Sequence, residues 1–451
     1  MSESVVHVGD RVRLHLDSLA AGGEAVGRYG GMAVFARWGC PGDEAEVEIT
    51  EVAARFARGA VVEVVTPSPD RVTPPCGEAG NCGGCQLQHI AYPAQLHYKA
   101  AIVRDTLTRI GGFEGIEIGG MWGMEDPWHY RNRAEYHARL DESGGLVLGF
   151  LRHRSHEVVP GDACRLNHPL VERLREATER AMARVAQSPE ERADFLRLDA
   201  FVSVAREEAL PTFVCRGRPP YLAALAEAVA EGVPEVIGVA AARSRGPTIA
   251  HRSPAEKLLG KSRLIEYLGE GGYQVSPDSF FQVNPAQATR LLALVEEWAG
   301  VTREDTVIDA YCGVGAFLLP LARRSGPAVG LESDDAAITD ARLNIAHWRL
   351  RNVRLQRGKV ETVLPRLARE GARADVIVLD PPRRGAGPVA ATAAARLAPK
   401  RIILVSCDAA TMARDLKTLA EHGYPPRRVQ PIDMFPHTAH IEAVALCARG
   451  G

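Results

Sequence analysis

Thr306-Val307-Ile308-Asp309-Ala310-Tyr311-Cys312-Gly313-Val314-Gly315 is an apolar run of strand length that meets an acid, then an aromatic residue and two glycines. Glycines at such a turn let the backbone approach a ligand closely. Outward from it, AVGLES (328–333), ADVIVLDPP (374–382) and RIILVSC (401–407) read as further short apolar strands. They alternate with helical stretches such as AAITDARLNIAHWRL (336–350) and ATMARDLKTLAEHG (410–423). That alternation is the signature of a parallel sheet covered on both faces, a doubly wound α/β nucleotide-binding architecture. Glu332 ends the second strand, 23 residues after Asp309, where an acid accepts hydrogen bonds from ribose hydroxyls. The loop lacks the full G-x-G-x-x-G, which argues against a dinucleotide. Asp380-Pro381-Pro382 at the end of a later strand sharpens the assignment.

The remaining residues must fold around this unit. A chain of 451 residues, 46% hydrophobic and 24% charged, has room for two or three domains. We read them as 1–70, 71–275 and 276–451. The formal net charge of -2 excludes global basicity, so any nucleic-acid contact has to be local. MSESVVHVGDRV carries no signal-peptide core, and no stretch approaches the roughly 18 apolar residues of a membrane helix. A soluble, cytoplasmic chain without membrane contact is expected, and a monomer is the simplest assembly.

The first 66 residues alternate apolar and polar positions between Gly-rich turns, as a small β-barrel requires. Up to Asp70 this module has six Arg, no Lys and eleven Asp plus Glu, so it offers no broad electrostatic grip on RNA. Thr66-Pro67-Ser68-Pro69 and Pro74-Pro75 form a linker. The central region is of mixed α+β pattern. HIAYPAQLHYKAAIVRDTLTRIGG (89–112) and PLVERLREATERAMARVAQ (169–187) read as helices, and two strands flank the turn Asp141–Gly145. Those strands interleave Arg131, Arg133, Arg139, Arg152 and Arg154 with Trp128, Tyr130, Tyr136 and Phe150. Such a mixture suits phosphate pairing with base stacking, or else a solvated face above core aromatics.

Nine cysteines, an odd number in a chain read as cytosolic, point to ligands or catalytic thiols rather than a disulfide framework. Cys76-x5-Cys82-x2-Cys85, with Cys164 after 78 intervening residues, has ligand-like spacing. Four thiolates suit zinc or an iron-sulfur cluster, and spacing alone leans to zinc. Cys407 stands apart, closing one strand and opening a helix, where the helix N-terminus should favour its thiolate. Cys40, Cys215, Cys312 and Cys447 read as inert buried thiols.

In order along the chain stand the β-module, the cysteine set, SFFQVNP (279–285), DAYCGVG (309–315), GLES (330–333), LDPPRRG (379–385), VSCDAATMARDL (405–416) and FPHTAHIE (435–442). With these the whole chain resembles the RNA uracil-C5 methyltransferases that carry an N-terminal TRAM domain and an iron-sulfur cluster. The resemblance implies a TRAM (OB-like) barrel, a central domain with a 4Fe-4S cluster on Cys76, Cys82, Cys85 and Cys164, and a class I S-adenosylmethionine-dependent methyltransferase domain of Rossmann-like fold. It implies that Gln282, Tyr311, Glu332 and Asp380 contact S-adenosylmethionine, that Cys407 is the nucleophile and that Glu442 is the general base. The implied partner is RNA, with ribosomal RNA favoured over transfer RNA.

The chemistry explains these residue types. Carbon 5 of uracil is too weak a nucleophile to take a methyl group from a sulfonium. A thiolate adding at carbon 6 turns the ring into an enolate, and a base must then remove the carbon 5 proton before the thiolate can leave. Two other classes compete with this reading. One is a cytosine or exocyclic-nitrogen methyltransferase; the nitrogen enzymes usually place an aromatic after the two prolines, where Arg383 stands. The other is a non-catalytic RNA-binding protein, against which the intact Cys407 and Glu442 argue. Ala316 and Asp408 depart from the usual polar residue and Asn, and an acid at 408 is expected to oppose ionisation of the neighbouring thiol if the two groups approach closely.

Overall fold

The computed structural model describes residues 6–161, 164–244 and 252–449. Strands Arg11–Leu19, Ala25–Tyr29, Met32–Arg37, Glu44–Val52 and Phe56–Thr66 close into a five-stranded barrel. Its interior is the period-two set Val12, Leu14, Leu16, Val34, Ala36, Val47, Ile49 and Ala57. Gly59 lies where a Cβ would stand 2.5 Å from the Glu48 carbonyl, so only glycine lets these two strands meet. The buried Asp43 accepts hydrogen bonds from Arg71 and from the Ser68 amide at 2.9 Å, which ties the linker to the barrel.

The second sheet runs Glu256–Gly260, Gly238–Arg243, Thr212–Cys215, Phe195–Ser203, Arg133–Leu140, Leu146–Leu151 and Val158–Pro160. Helices Pro169–Val185 and Leu222–Gly232 bury Leu170, Leu174, Leu225 and Val229 with Phe213 and Tyr136 of the sheet. This decides between the two readings of the arginine-rich hairpin for most of its aromatics. Tyr136 is wholly buried and donates to Glu172, and the buried Tyr130 donates to the Pro436 carbonyl at 3.1 Å. Trp128 is stacked on His437 with ring centres 3.8 Å apart. Arg133 is itself turned inward onto the carbonyls of Pro277 and Ser279. Phe150 alone of the four lines the open cleft described below.

The third sheet has the order Val353–Arg357, Ala328–Glu332, Val307–Ala310, Val376–Leu379, Arg401–Ser406, Glu442–Ala448, Pro426–Ile432 and Glu117–Ile118. Its first five strands are parallel, and the near-continuous apolar character of the three inner ones, Val307–Ala310, Val376–Leu379 and Arg401–Ser406, follows from burial on both faces, whereas the edge strand Val353–Arg357 is polar and part-exposed. Helix Tyr92–Arg109 opens with a proline in its first turn and packs Ile102, Val103 and Leu107 with Leu416 and Leu419 on one face. Helix Pro285–Ala299 and the hairpin Leu264–Leu268/Gly271–Val275 cover the opposite face. Among the described residues no helix is long and apolar enough to cross a membrane.

Candidate active site

Every parallel strand delivers its carboxyl end to one edge of the third sheet. Ala310 pairs with Leu331 on one side and Leu379 on the other, so the next residues, Tyr311, Glu332 and Asp380, emerge together. Strand Glu442–Ala448 runs antiparallel, pairing Ser406 with Ala443. One step further in that register Cys407 faces Glu442. A thiol at the C-terminus of one strand and a carboxyl at the N-terminus of another thus meet at the ligand-binding edge of an open α/β sheet.

The loop after Ala310 is strongly bent. Tyr311 has φ +72°, Gly313 +55° and Gly315 +100°, the first a costly conformation for an aromatic residue. Glu332 braces the bend, accepting from the Gly313 amide at 3.0 Å and the Asp334 amide at 2.8 Å. Gln282 lies on the segment SFFQVNP, which is anchored at both ends. The Ser279 hydroxyl donates to Asp340 at 2.7 Å, and Asn284 caps helix Pro285–Ala299 through the Gln287 amide at 3.2 Å. The Gln282 side chain makes no hydrogen bond among the described residues, which leaves its amide open to a ligand. The Ala316 carbonyl accepts from Tyr273 at 3.1 Å.

Asp309 is the residue the sequence undervalued. It is wholly buried, and its carboxylate is faced by the Leu318 N–H but makes no well-formed hydrogen bond among the described residues. Burial, then the charges of Asp380 and Glu332, hold it well above the ordinary carboxylate range. Burial likewise pushes Asp380 up to about 7. The strand pattern alone carried no sign of so many acids sharing one desolvated edge.

Cys407 is half-buried, and desolvation pushes its thiol up to about 11, with Glu442 and Asp380 adding to the rise and Arg383 opposing it. The expected thiolate-favouring effect of the helix N-terminus is therefore outweighed in this state. The expected opposition from Asp408 is also corrected. Its carboxylate turns away to cap helix Ala409–Glu421, accepting from the Thr411 amide at 2.7 Å. Glu442 is 5% exposed and held well above its ordinary value by burial and by Asp380. No hydrogen bond reaches its carboxyl group among the described residues.

Cys76, Cys82, Cys85 and Cys164 are free thiols lining one cleft of about 810 Å³ between the second sheet and the SFFQVNP segment. Arg131, Arg252 and the exposed Phe280 line it as well. Among the described residues no group of three or more His, Cys, Asp or Glu side chains converges closely enough to hold a metal ion. N–H donors nevertheless point at the sulfurs. The Gly84 amide lies 3.3 Å from Cys82 Sγ and the Gln88 side-chain amide 3.1 Å from Cys85 Sγ, while the amides of Leu166 and Asn167 face Cys164. Anionic sulfur, more than a neutral thiol, benefits from such donors.

Residues 266–449 match the family model tRNA (uracil-5-)-methyltransferase, and residues 5–62 match the TRAM domain. An uncharacterized RNA methyltransferase of Halalkalibacterium halodurans is 34% identical over 450 residues, spanning 98% of each chain. Another, of Caldanaerobacter subterraneus subsp. tengcongensis, is 35% identical over 98% of this chain and 99% of its own. The crystal structure of Pyrococcus abyssi tRNA (uracil-54, C5)-methyltransferase, in complex with S-adenosyl-L-homocysteine, superposes with a TM-score of 0.76 at 26% identity. It covers 97% of this chain and all of that one. The third sheet and its ligand edge are thus an S-adenosylmethionine-dependent methyltransferase fold joined to a TRAM barrel. The chain belongs to the TRAM-domain family of RNA uracil-C5 methyltransferases.

Proposed function

We propose that the protein methylates carbon 5 of a uridine in RNA through a covalent adduct of Cys407. The observation that carries the reading is the strand register, which sets the thiol opposite a buried carboxyl group, without a hydrogen bond among the described residues, beside the Gly-rich loop. Gln282, Tyr311, Glu332 and Asp380 hold S-adenosylmethionine, which supplies an electrophilic methyl group on a sulfonium. Cys407 first gives up its proton to solvent; its thiolate Sγ then bonds to carbon 6 of the uracil, and the displaced π electrons move onto the carbon 4 oxygen. Carbon 5 then takes the methyl group, and the electrons of the broken S–CH₃ bond stay on the departing sulfur. Glu442 removes the carbon 5 proton, the double bond re-forms and Cys407 leaves as a thiolate. Glu442 acts in its ionised form, and there the raised proton affinity makes the carboxylate a stronger base. Arg383 and the bound sulfonium are the positive charges available to stabilise the thiolate against the burial that disfavours it.

The proposed division is a TRAM barrel at 1–70, a central α+β domain at 71–275 and the methyltransferase domain at 276–451. The protein is taken as a cytoplasmic monomer. The central domain is proposed to hold a 4Fe-4S cluster on Cys76, Cys82, Cys85 and Cys164. Four thiolates are the donor set that such a cluster takes, and these four cysteines would supply it from around one cleft. Methyl transfer needs no electron, so the cluster would shape the RNA-binding surface.

The test uses labelled S-adenosylmethionine with undermethylated ribosomal RNA and transfer RNA in separate reactions, digested to nucleosides. Label in 5-methyluridine is expected, and label only in cytidine or on an exocyclic nitrogen would overturn the reading. Running the two RNAs apart distinguishes ribosomal RNA, expected from the barrel and cysteine combination, from transfer RNA, the substrate named for the archaeal structure.

A further inference from the structure

The Glu442 carboxyl has no hydrogen bond of its own among the described residues, so its position depends on the backbone that carries it. That backbone is the turn 433–441, and its polar contacts reach far back along the chain. His437, at a left-handed φ of +66°, donates its N–H to Gln95 Oε1 at 3.1 Å. Its carbonyl accepts from the Gln86 amide at 3.1 Å and the Leu87 amide at 3.0 Å. The Gln95 side-chain nitrogen lies 3.1 Å from His437 Nδ1 and donates to the carbonyls of Leu87 at 3.0 Å and Ile90 at 2.8 Å. Two carbonyls demand a donor and one amide an acceptor, so the orientation of the Gln95 amide is unambiguous. Gln86 Oε1 accepts from the Ala439 amide at 3.1 Å. Gln95 is wholly buried on helix Tyr92–Arg109, whose apolar face packs on the methyltransferase sheet.

We propose that Gln95, assisted by Gln86, is a positioning residue for Glu442, locking the left-handed turn that aims the carboxyl group at carbon 5. The proposal rests on the reading of Glu442 as the base. The segment Gln86–Gln95 directly follows Cys85, so the same stretch of chain links the cysteine site to the base. A positioning residue acts only on the step its partner performs. Its loss therefore slows elimination of the adduct and spares formation of the adduct and binding of S-adenosylmethionine.

Single-turnover reactions with RNA, quenched in denaturant, measure formation and decay of the protein-RNA adduct. Gln95→Leu should slow decay about tenfold or more, with formation and S-adenosylmethionine affinity within about twofold. In a Glu442→Gln background the same substitution should add less than about twofold, because the step it serves is already lost. Unchanged decay in Gln95→Leu, or its full factor reappearing in the Glu442→Gln background, would overturn the proposal. If circular dichroism shows Gln95→Leu unfolded, Gln86→Ala decides: decay slowed about threefold supports the proposal, and wild-type decay refutes it. A Glu442→Gln enzyme with normal turnover refutes the base reading and the proposal together, whereas a stalled Glu442→Gln with an indifferent Gln95→Leu refutes the proposal alone.

Discussion

Lys99→Met should be among the most destabilising single substitutions where helix Tyr92–Arg109 packs on the methyltransferase sheet. Lys99 is 1% exposed, and its Nζ donates to the wholly buried Asp433 at 2.7 Å and to the Phe435 carbonyl at 3.1 Å. Burial pulls its proton affinity down and Asp433 holds it up. Methionine preserves the stem and deletes the charge, leaving the Asp433 carboxylate with the Tyr92 hydroxyl at 2.9 Å but no cation. Breaking a buried pair from one side costs about 3–5 kcal/mol. For a domain of this size that lowers the melting temperature by about 6–20 °C. Urea unfolding followed by circular dichroism measures the loss. Replacing both partners, as Lys99→Met with Asp433→Asn, removes the stranded charge and should recover at least about 1 kcal/mol. A single variant within about 1 kcal/mol of wild type, or a double variant no more stable than the single one, would refute the reasoning.

Cys407→Ala should abolish turnover while equilibrium dialysis finds S-adenosylmethionine affinity unchanged; near-wild-type turnover would sink the nucleophile assignment. Glu442→Gln should methylate and then stall, trapping an RNA adduct that survives denaturing electrophoresis, and finding neither adduct nor rate loss would refute the base. Because the Cys407 thiol is pushed up to about 11 and only the thiolate reacts, its alkylation in ligand-free protein should rise about tenfold per pH unit from about pH 7 to 10. A plateau by about pH 8 would contradict that value. Anaerobic protein should contain iron and acid-labile sulfide, and Cys82→Ser should weaken RNA binding or stability more than S-adenosylmethionine binding. Zinc alone, or equal loss of both affinities, would count against a structural 4Fe-4S cluster.

The strands around TVIDAYC, ADVIVLDPP and RIILVSC were legible because a strand buried on both faces must be apolar throughout, a property written in consecutive residues. The barrel was legible for the complementary reason, since its one buried face imposes a period of two. Each motif residue at a strand end could be named from local pattern and family resemblance. What the tertiary structure decided is which of these ends meet. Cys407 faces Glu442 only because Glu442–Ala448 inserts antiparallel to Arg401–Ser406, a pairing between segments with a long connection between them. Tyr130 and Tyr136 read either as stacking platforms or, the stronger reading, as core, and the packing of helix Pro169–Val185 chose core for Tyr136. The proton affinities of Cys407, Asp309 and Glu442 were likewise closed to the sequence. They depend on how far water is excluded and on which charges share the edge, and both are sums over residues remote in the chain that only the folded packing brings together.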